Sequence, residues 1–301
     1  MIEVEKILEI QRRFSRKEKN KFLDAVEENL TEYGYEFERK RFGRIVKSVN
    51  LETKCDKPEY IFIAHYDTGL TMPFWLNPIF KLFGVNSIAS IVFIIFLTII
   101  LDVISISYLD VISHWHWRII LGISLLQMLL PNKKNFDDNT SGVIALLKLA
   151  KKLKDNGINN VKFLFVDNEE WGLFGSKAHR KYLEKEKLIL PHCKIISLDC
   201  VGGEGEIPLI MRNGKSEYAE FFQTEIQKEF ELCKSVKMAL PSSDNYSFRK
   251  YGAFNISFVK RAKIPVGYYI PNIHSSKDSK IDLHKIEKLT DTLTNVIKNV
   301  I

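Results

Sequence analysis

The sequence predicts an α/β fold, a three-layer α/β/α sandwich around a mixed, mainly parallel central sheet. Short apolar runs rich in β-branched and aromatic residues alternate with longer amphipathic stretches along most of the chain, which is typical of strands followed by helices. Strands that are apolar throughout indicate a sheet covered on both faces. The 301 residues, 46% of them hydrophobic, can bury a large core, and we expect one domain over residues 1–301.

The first 65 residues predict a helical segment and three strands. Residues 2–32 carry apolar side chains at helical spacing among many charges, which predicts one or two packing helices. The segments YEFERKRF and RIVKSVNLE alternate polar and apolar residues and predict two strands. The largely apolar run PEYIFIAH predicts a buried central strand that ends at His65.

The second half of the chain continues this alternation. An amphipathic helix is predicted over Val143–Leu153, and Asn139, Thr140 and Ser141 before it are candidate caps. Further strands are predicted at VKFLFVD, KIISLD and FNISFVK, with helices over about 176–186, about 216–229 and from about residue 285. This order predicts a sheet with a parallel core and helices on both faces.

The composition argues against several classes of protein. Four scattered cysteines form no CxxC pair, which favours a reducing compartment over a disulfide-stapled secreted fold. The charged amino terminus lacks the apolar core of a signal peptide, so we expect it to stay in the cytoplasm. The formal net charge is only +7 and no nucleic-acid module is recognisable, so no nucleic-acid partner is expected.

One strongly apolar segment, residues 71–132, interrupts the pattern. Within it, Ile88–Leu101 contains no charged residue and residues 117–130 contain only one. Two such runs predict an inserted hydrophobic hairpin, with residues 85–130 crossing a membrane and contacting lipid. Each run is shorter than the roughly 20 residues of a straight crossing, so a buried hairpin or an in-plane segment is the alternative.

The residues that flank the two apolar runs predict the orientation of this hairpin. Lys81 precedes the first run and Lys133 and Lys134 follow the second, whereas the connection between the runs holds Asp102 and Asp110 and no lysine. Lysines concentrate on the cytoplasmic side of membrane segments. We therefore expect both ends of the hairpin in the cytoplasm.

Histidine and acidic residues stand where the predicted strands end. His65 ends PEYIFIAH, Glu169 and Glu170 follow VKFLFVD, and Asp199 closes KIISLD. Taken singly, each is more often an ordinary surface residue. The carboxyl ends of parallel strands, however, meet at one edge of a sheet, where ligands bind in α/β folds. We therefore expect these four side chains to lie close together.

Imidazole and carboxylate donors gathered in this way predict a site for two divalent metal ions, since these ligands suit zinc, cobalt or manganese. Asp67, two residues after His65, can point to the same face and fix its imidazole ring. His274, on a late loop, is the available second histidine. Asp137 and Asp138 open a predicted helix, where acidic residues are also ordinary caps.

Six ordered sequence blocks resemble one known family. The blocks are HYD (65–67), DDNTSG (137–142), EEWGLFGS (169–176), LD (198–199), SSDNYSF (242–248) and HSSKD (274–278). Together they resemble the zinc-dependent aminopeptidases with a co-catalytic dinuclear metal site, the group that includes bacterial leucyl aminopeptidases and is related to glutamate carboxypeptidase. One block alone would be a moderate signal, but six in the family's order are specific.

The resemblance implies a ligand set for two metal ions, most simply zinc. Asp138 would bridge the two ions. His65 and Asp199 would complete the ligands of one ion, and Glu170 and His274 those of the other. The fold it implies is one metallopeptidase domain with a mixed α/β sheet.

The resemblance also implies a reaction. Glu169 would act as general base and Asp67 would orient His65, so that a hydroxide bridging the metals attacks the amino-terminal peptide bond. The substrate would be a peptide with a free amino terminus. The apolar segment lies between His65 and Asp138, so only zero or two membrane crossings keep these ligands together. The catalytic domain would be membrane-attached on the cytoplasmic side, with a soluble cytoplasmic protein as the alternative.

The chain departs from the family pattern at one block. Asn245 stands where the family often has a histidine after Ser-Asp, a position that affects the substrate pocket more than the metals. Tyr246, Tyr268 and Tyr269 are candidates for stabilising an oxyanion, although ordinary packing is the more common explanation for each. Two other functions share this fold, a glutaminyl cyclase-like acyltransferase and a non-catalytic membrane receptor or scaffold.

Overall fold

The computed structural model describes residues 4–73, 76–84, 130–189, 192–263 and 267–300, with isolated positions between 92 and 126. Its helices are α1 (Val4–Glu9), α2 (Arg16–Glu32), α3 (Leu76–Phe83), α4 (Gly142–Asp155), α5 (Phe174–Lys185), α6 (Ala219–Glu229) and α7 (Leu283–Val300). Its strands are β1 (Phe37–Phe42), β2 (Ser48–Thr53), β3 (Tyr60–His65), β4 (Val161–Val166), β5 (Lys194–Leu198), β6 (Ile207–Arg212), β7 (Lys234–Lys237), β8 (Phe254–Arg261) and β9 (Tyr268–Tyr269).

These strands form one mixed sheet. Its order is β1-β2-β4-β3-β5-β8-β6-β7, and β9 pairs with β8. The four central strands β4, β3, β5 and β8 are parallel, whereas β1 with β2, β2 with β4 and β6 with β8 are antiparallel. The mixed sheet with a parallel centre is confirmed, and its antiparallel pairs lie towards the margins.

Both faces of the sheet are buried. On β3, Tyr60, Phe62 and Ala64 belong to the hydrophobic core shared with α2, α4 and α7. Ile61 and Ile63 belong to a second core beneath α5. Successive side chains of a strand point to opposite faces, so a strand between two helical layers must be apolar throughout. This is why β3 and β4 show no alternation in the sequence.

Three strands, β6, β7 and the two-residue β9, are not predicted by the sequence. Pro208 lies within β6, and a proline argues against an interior strand because it lacks the backbone N–H. The four residues of β7 are too few to show a period. All three strands contribute residues to the lining of the cavity described below.

The two ends of the predicted insertion lie side by side. Leu70 and Pro131 form an isolated antiparallel bridge, and the Thr71 N–H donates to the Leu130 carbonyl at 2.8 Å. The chain therefore leaves and re-enters the domain at one point. This arrangement meets the requirement that the segment between two ligands of one cluster must return to where it began.

Most of the predicted hairpin, residues 71–132, lies outside the described residues, and its passage through a membrane stays a prediction. Its first part is described as α3, which is eight residues long. Within the described ranges, no helix combines the length and the apolar character that crossing a membrane requires.

Candidate metal centre

The carboxyl edge of the parallel strands gathers the predicted site residues. His65 is the last residue of β3, Asp199 follows β5 directly, and Glu169 and Glu170 follow β4 after a short turn. Their side chains converge because β3, β4 and β5 run in the same direction. Two further loops bring Asp138 and His274 to the same place.

One group of donors consists of His65, Asp138 and Asp199, whose ligand atoms all lie within 4.8 Å of one another. His65 Nε2 lies 3.3 Å from Asp138 Oδ1 and 3.6 Å from Asp199 Oδ1. Two donors that each lie about 2.1 Å from one tetrahedral zinc ion are about 3.4 Å apart. The observed spacing therefore suits donors arranged around a single ion.

A second group consists of Asp138, Glu170 and His274. His274 Nε2 lies 3.5 Å from Asp138 Oδ2, and His274 Nδ1 lies 3.6 Å from Glu170 Oε2. The two carboxylate oxygens of Asp138 thus face the two histidines, His65 on one side and His274 on the other. The structure brings all five predicted ligands together, in two groups that share Asp138, and a third group joins Glu169 to His65 and Glu170.

Unpaired oxygens in this cluster fit metal binding. Glu170 Oε1 and Asp199 Oδ1 are buried and have no hydrogen-bond partner among the described residues. Buried polar atoms are almost always paired, and carboxylate oxygens beside imidazole nitrogens are suitable donors for divalent ions. The donor set present therefore fits two divalent metal ions.

Asp67 links several parts of the cluster. Its Oδ1 lies 3.6 Å from His65 Nδ1, on the opposite side of the ring from Asp138. The same carboxylate accepts the Glu169 N–H at 3.0 Å and the Glu170 N–H at 3.3 Å. Asp67 therefore positions the turn after β4 as well as the imidazole, a contact that its spacing from His65 does not predict.

Glu169 lies beside the ligands and lines the same cavity. Burial raises the pKa of its carboxyl group well above the ordinary value; His65 opposes this shift, while the charges of Glu170 and Asp244 add to it. Its position beside the proposed ligands suits proton transfer.

Two further aspartates hold the backbone around the bridging residue. Asp278 accepts the N–H groups of Asp137 and Asp138 at 2.8 and 3.1 Å. Asp137 in turn accepts those of Gly202 and Gly203 at 2.9 and 2.7 Å. Both aspartates belong to the sequence blocks, and the ligand set that the resemblance implies leaves them out.

Arg13 is a component of the site that sequence reasoning misses. It lies in the loop that joins α1 to α2 and is fully buried. Its guanidinium donates to the Tyr66 carbonyl and to Thr140 Oγ1. Its backbone N–H donates to Thr68 Oγ1. Burial lowers the pKa of Arg13 to about 10, although Asp138 and Asp67 oppose this shift. The side chain therefore stays charged at neutral pH and ties together the loops that carry His65 and Asp138.

The tyrosine candidates separate into two kinds. Tyr268 and Tyr269 line the cavity, whereas the Tyr246 ring packs against the Arg249 guanidinium, 4.2 Å from the ring centroid.

Asn245 is buried and donates to the Met211 carbonyl on β6, so this departure from the family pattern contacts a strand that lines the cavity.

The cavity next to the cluster has a volume of about 510 Å³, a size typical of pockets that enclose small ligands. His65, Asp138, Glu169, Glu170, Asp199 and His274 line one part of it. The rest of the described lining is mainly apolar and comes from Met72 and α3, from β6, from β7 and the residues that follow it, from β8, and from β9 with its neighbouring loops.

Comparison with known proteins identifies the family. Residues 111–297 match the model of peptidase family M28. The chain belongs to peptidase family M28. The resemblance carried by the six blocks is thereby confirmed, and this M28 chain is a metallopeptidase, a hydrolase of peptide bonds. No curated protein matches the sequence significantly.

Solved structures share the fold of this M28 chain. The Legionella pneumophila LapA aminopeptidase matches with a TM-score of 0.61 and 12% identity, over 98% of this chain and 68% of its own. A zinc-dependent exopeptidase from Parabacteroides distasonis gives 0.62 and 14%, over 98% and 94%. The Porphyromonas gingivalis glutaminyl cyclase gives 0.64 and 13%, over 99% and 96%. At these identities the matches establish the fold alone.

Proposed function

We propose that the protein is an aminopeptidase that uses two zinc ions to hydrolyse the amino-terminal peptide bond of its substrates. The observation that supports this proposal most directly is the position of Asp138, whose two carboxylate oxygens face His65 and His274 at 3.3 and 3.5 Å. Glu169 lies beside this arrangement and lines the same cavity. A base and a two-metal donor set therefore share one substrate-sized space.

The residues of the chain divide the chemistry between them. When bound, the metal ions supply Lewis acidity that activates water and polarises the scissile carbonyl. The Glu169 carboxylate takes a proton from the attacking water and returns it to the nitrogen of the leaving amine, a contribution of about 10²–10⁴ in rate. The Asp67 carboxylate holds Glu169 in place by accepting the Glu169 backbone N–H.

The charge of the cavity favours the amino end of a peptide. The described lining includes carboxylates from Asp138, Glu169, Glu170 and Asp199 and no lysine or arginine. Glu169, which is not one of the proposed ligands, can accept a hydrogen bond from a substrate ammonium group, whereas the described lining offers a terminal carboxylate no cationic side chain. We therefore propose cleavage from the amino terminus.

The proposal is tested by counting bound metal and by comparing matched substrates. Leucyl-p-nitroanilide and its N-acetyl derivative differ only in the free amine. We expect about two metals per chain, and turnover of the free-amine substrate alone. Efficient cleavage of the acetylated substrate would contradict the assignment.

The acyltransferase alternative is separated by a different product. A peptide with an amino-terminal glutamine yields free glutamine and a shortened peptide if it is hydrolysed, and a pyroglutamyl peptide and ammonia if it is cyclised. We expect free glutamine, at a rate below that of the leucyl substrate. A pyroglutamyl peptide as the main product would replace the aminopeptidase by a glutaminyl cyclase. A protein that binds no metal and turns over neither substrate would be the receptor or scaffold.

We also propose that the insertion attaches the catalytic domain to the cytoplasmic side of a membrane. Val92, Ile95, Phe96 and Ile99 each expose more than half of their side-chain surface, at the spacing of one helical face. Exposed apolar patches of this kind often mark membrane or protein contacts. A tag placed between residues 102 and 116 should be accessible from outside intact cells. A protected tag in a protein that purifies without detergent would contradict this topology.

A further inference from the structure

The cavity has a second kind of lining that the metal centre does not explain. Met72, Phe80 and Phe83 line it from the beginning of the insertion, and Met211, Met238 and Ile270 are among the residues that line it from the sheet and its loops. The described lining residues include no lysine or arginine. One part of the cavity is therefore acidic and the other apolar.

Backbone contacts fix α3, and Met72 before it, against the loops around β9 and His274. The Lys263 N–H donates to the Lys81 carbonyl at 2.9 Å. Gly84, which ends α3 with a φ of +85°, lies so close to Tyr268 that a Cβ atom there would be 2.8 Å from its carbonyl oxygen. The Met72 N–H donates to the carbonyl of His274, a predicted metal ligand, at 2.8 Å. Phe80 and Phe83 thus hold defined positions in the cavity wall.

The same helix also contacts the first apolar run of the predicted insertion. The Phe83 ring contacts the Phe93 ring, with centroids 4.8 Å apart, and Phe93 lies in the first apolar run. Helix α3 (Leu76–Phe83) lies within residues 71–132, the predicted insertion. The wall is therefore supplied by the insertion.

From these observations we infer that α3 makes the enzyme selective for peptides whose first residue has a large, uncharged, apolar side chain, and that Phe80 and Phe83 are specificity-determining residues. This inference rests on the proposed aminopeptidase function. A charged side chain buried against this wall would have no partner. The methionines adapt to different apolar shapes, so leucine, methionine and phenylalanine are all accepted, while alanine leaves the wall uncontacted.

The kinetic test uses p-nitroanilides of leucine, methionine, phenylalanine, alanine, lysine and glutamate. The variants Phe80→Ala and Phe83→Ala are compared with Leu82→Ala, which truncates an exposed neighbour on the same helix that does not line the cavity. We expect each phenylalanine variant to lose about tenfold or more in kcat/KM for leucine relative to alanine. Leu82→Ala should keep the wild-type ratio, and Phe80→Leu and Phe83→Leu should keep most of it.

A binding measurement separates this inference from the proposed reaction. Calorimetry with ethylamine, butylamine and hexylamine on the zinc-loaded protein requires no hydrolysis. We expect the affinity to rise about fourfold per added methylene, equivalent to about 0.8 kcal/mol, and to rise less steeply in Phe80→Ala and Phe83→Ala.

The outcomes distinguish the two proposals. If the affinity for alkylamines rises with chain length but no aminoacyl substrate is turned over, the apolar wall is supported and the aminopeptidase function is contradicted. Turnover with equal kcat/KM for leucine and alanine, or phenylalanine variants indistinguishable from Leu82→Ala, would overturn the role of α3. Unchanged helical circular dichroism in each variant shows that the fold is intact.

Discussion

The two parts of the cavity are held in different ways. Around the metal centre, buried carboxylates accept backbone N–H groups, as Asp67 and Asp278 each do twice. The α3 wall consists of half-buried phenylalanines, fixed by a few backbone contacts at the ends of the helix. Polar networks require every member in place, whereas an apolar wall loses contact area gradually. The metal part should therefore tolerate little change, and the wall should tolerate substitutions that alter selectivity.

The largest expected effect is on the base in the metal part. Glu169→Gln keeps the shape of the side chain but cannot accept the proton, so kcat should fall by about 10²–10⁴. Bound metal, counted by atomic absorption, should stay at the wild-type level because Glu169 is not one of the proposed ligands. An active variant would exclude Glu169 as the base.

Removing the buried positive charge of Arg13 should have the next largest effect. Arg13→Met leaves the Tyr66 carbonyl and Thr140 without their donor and removes the positive charge near Asp138, so the free energy of unfolding should fall by about 3 kcal/mol. The matched control is Arg12→Met, since Arg12 is half exposed and should cost less than about 1 kcal/mol. Urea unfolding measures both. Equal losses of unfolding free energy in the two variants would show that buried Arg13 stabilises the fold no more than an exposed arginine does.

A smaller effect is expected from crowding one ligand. A Cβ atom on Gly69 would lie 2.6 Å from the Glu170 carboxylate, so Gly69→Ala must displace that side chain. Zinc affinity should fall about 10- to 100-fold, the loss usual when a metal ligand is poorly oriented. Competition with a chromophoric chelator measures this affinity. Wild-type affinity would show that Glu170 does not bind metal in the proposed position.

The smallest effect is expected in the wall. Gly84→Ala adds a Cβ atom against the Tyr268 carbonyl at a positive φ, which must shift α3. The ratio of kcat/KM for leucine and alanine substrates should change by about tenfold or less, with zinc affinity within about twofold of wild type. A loss of zinc affinity as large as that of Gly69→Ala would mean that the Met72 contact to His274 couples the two parts.

The sequence predicts the central strands and the residues that end them, but it predicts the supporting contacts poorly. Strands β3, β4 and β5 are buried on both faces, and continuous apolar runs reveal such strands. Arg13 gives no comparable signal, because a single arginine between two amphipathic helices usually lies at the surface. Its burial follows from loops that join it only in the folded chain.

The local sequence by itself determined which residues stand at strand ends, because periodicity and side-chain type act within a few residues of the chain. It also determined the family, because the order of the blocks along the chain carries that information. Only the tertiary structure decided that Asp138 faces His65 with one oxygen and His274 with the other. Only the tertiary structure, too, brings α3, β6 and β7 to one cavity. Both are contacts between distant segments, which depend on how the sheet and its loops pack.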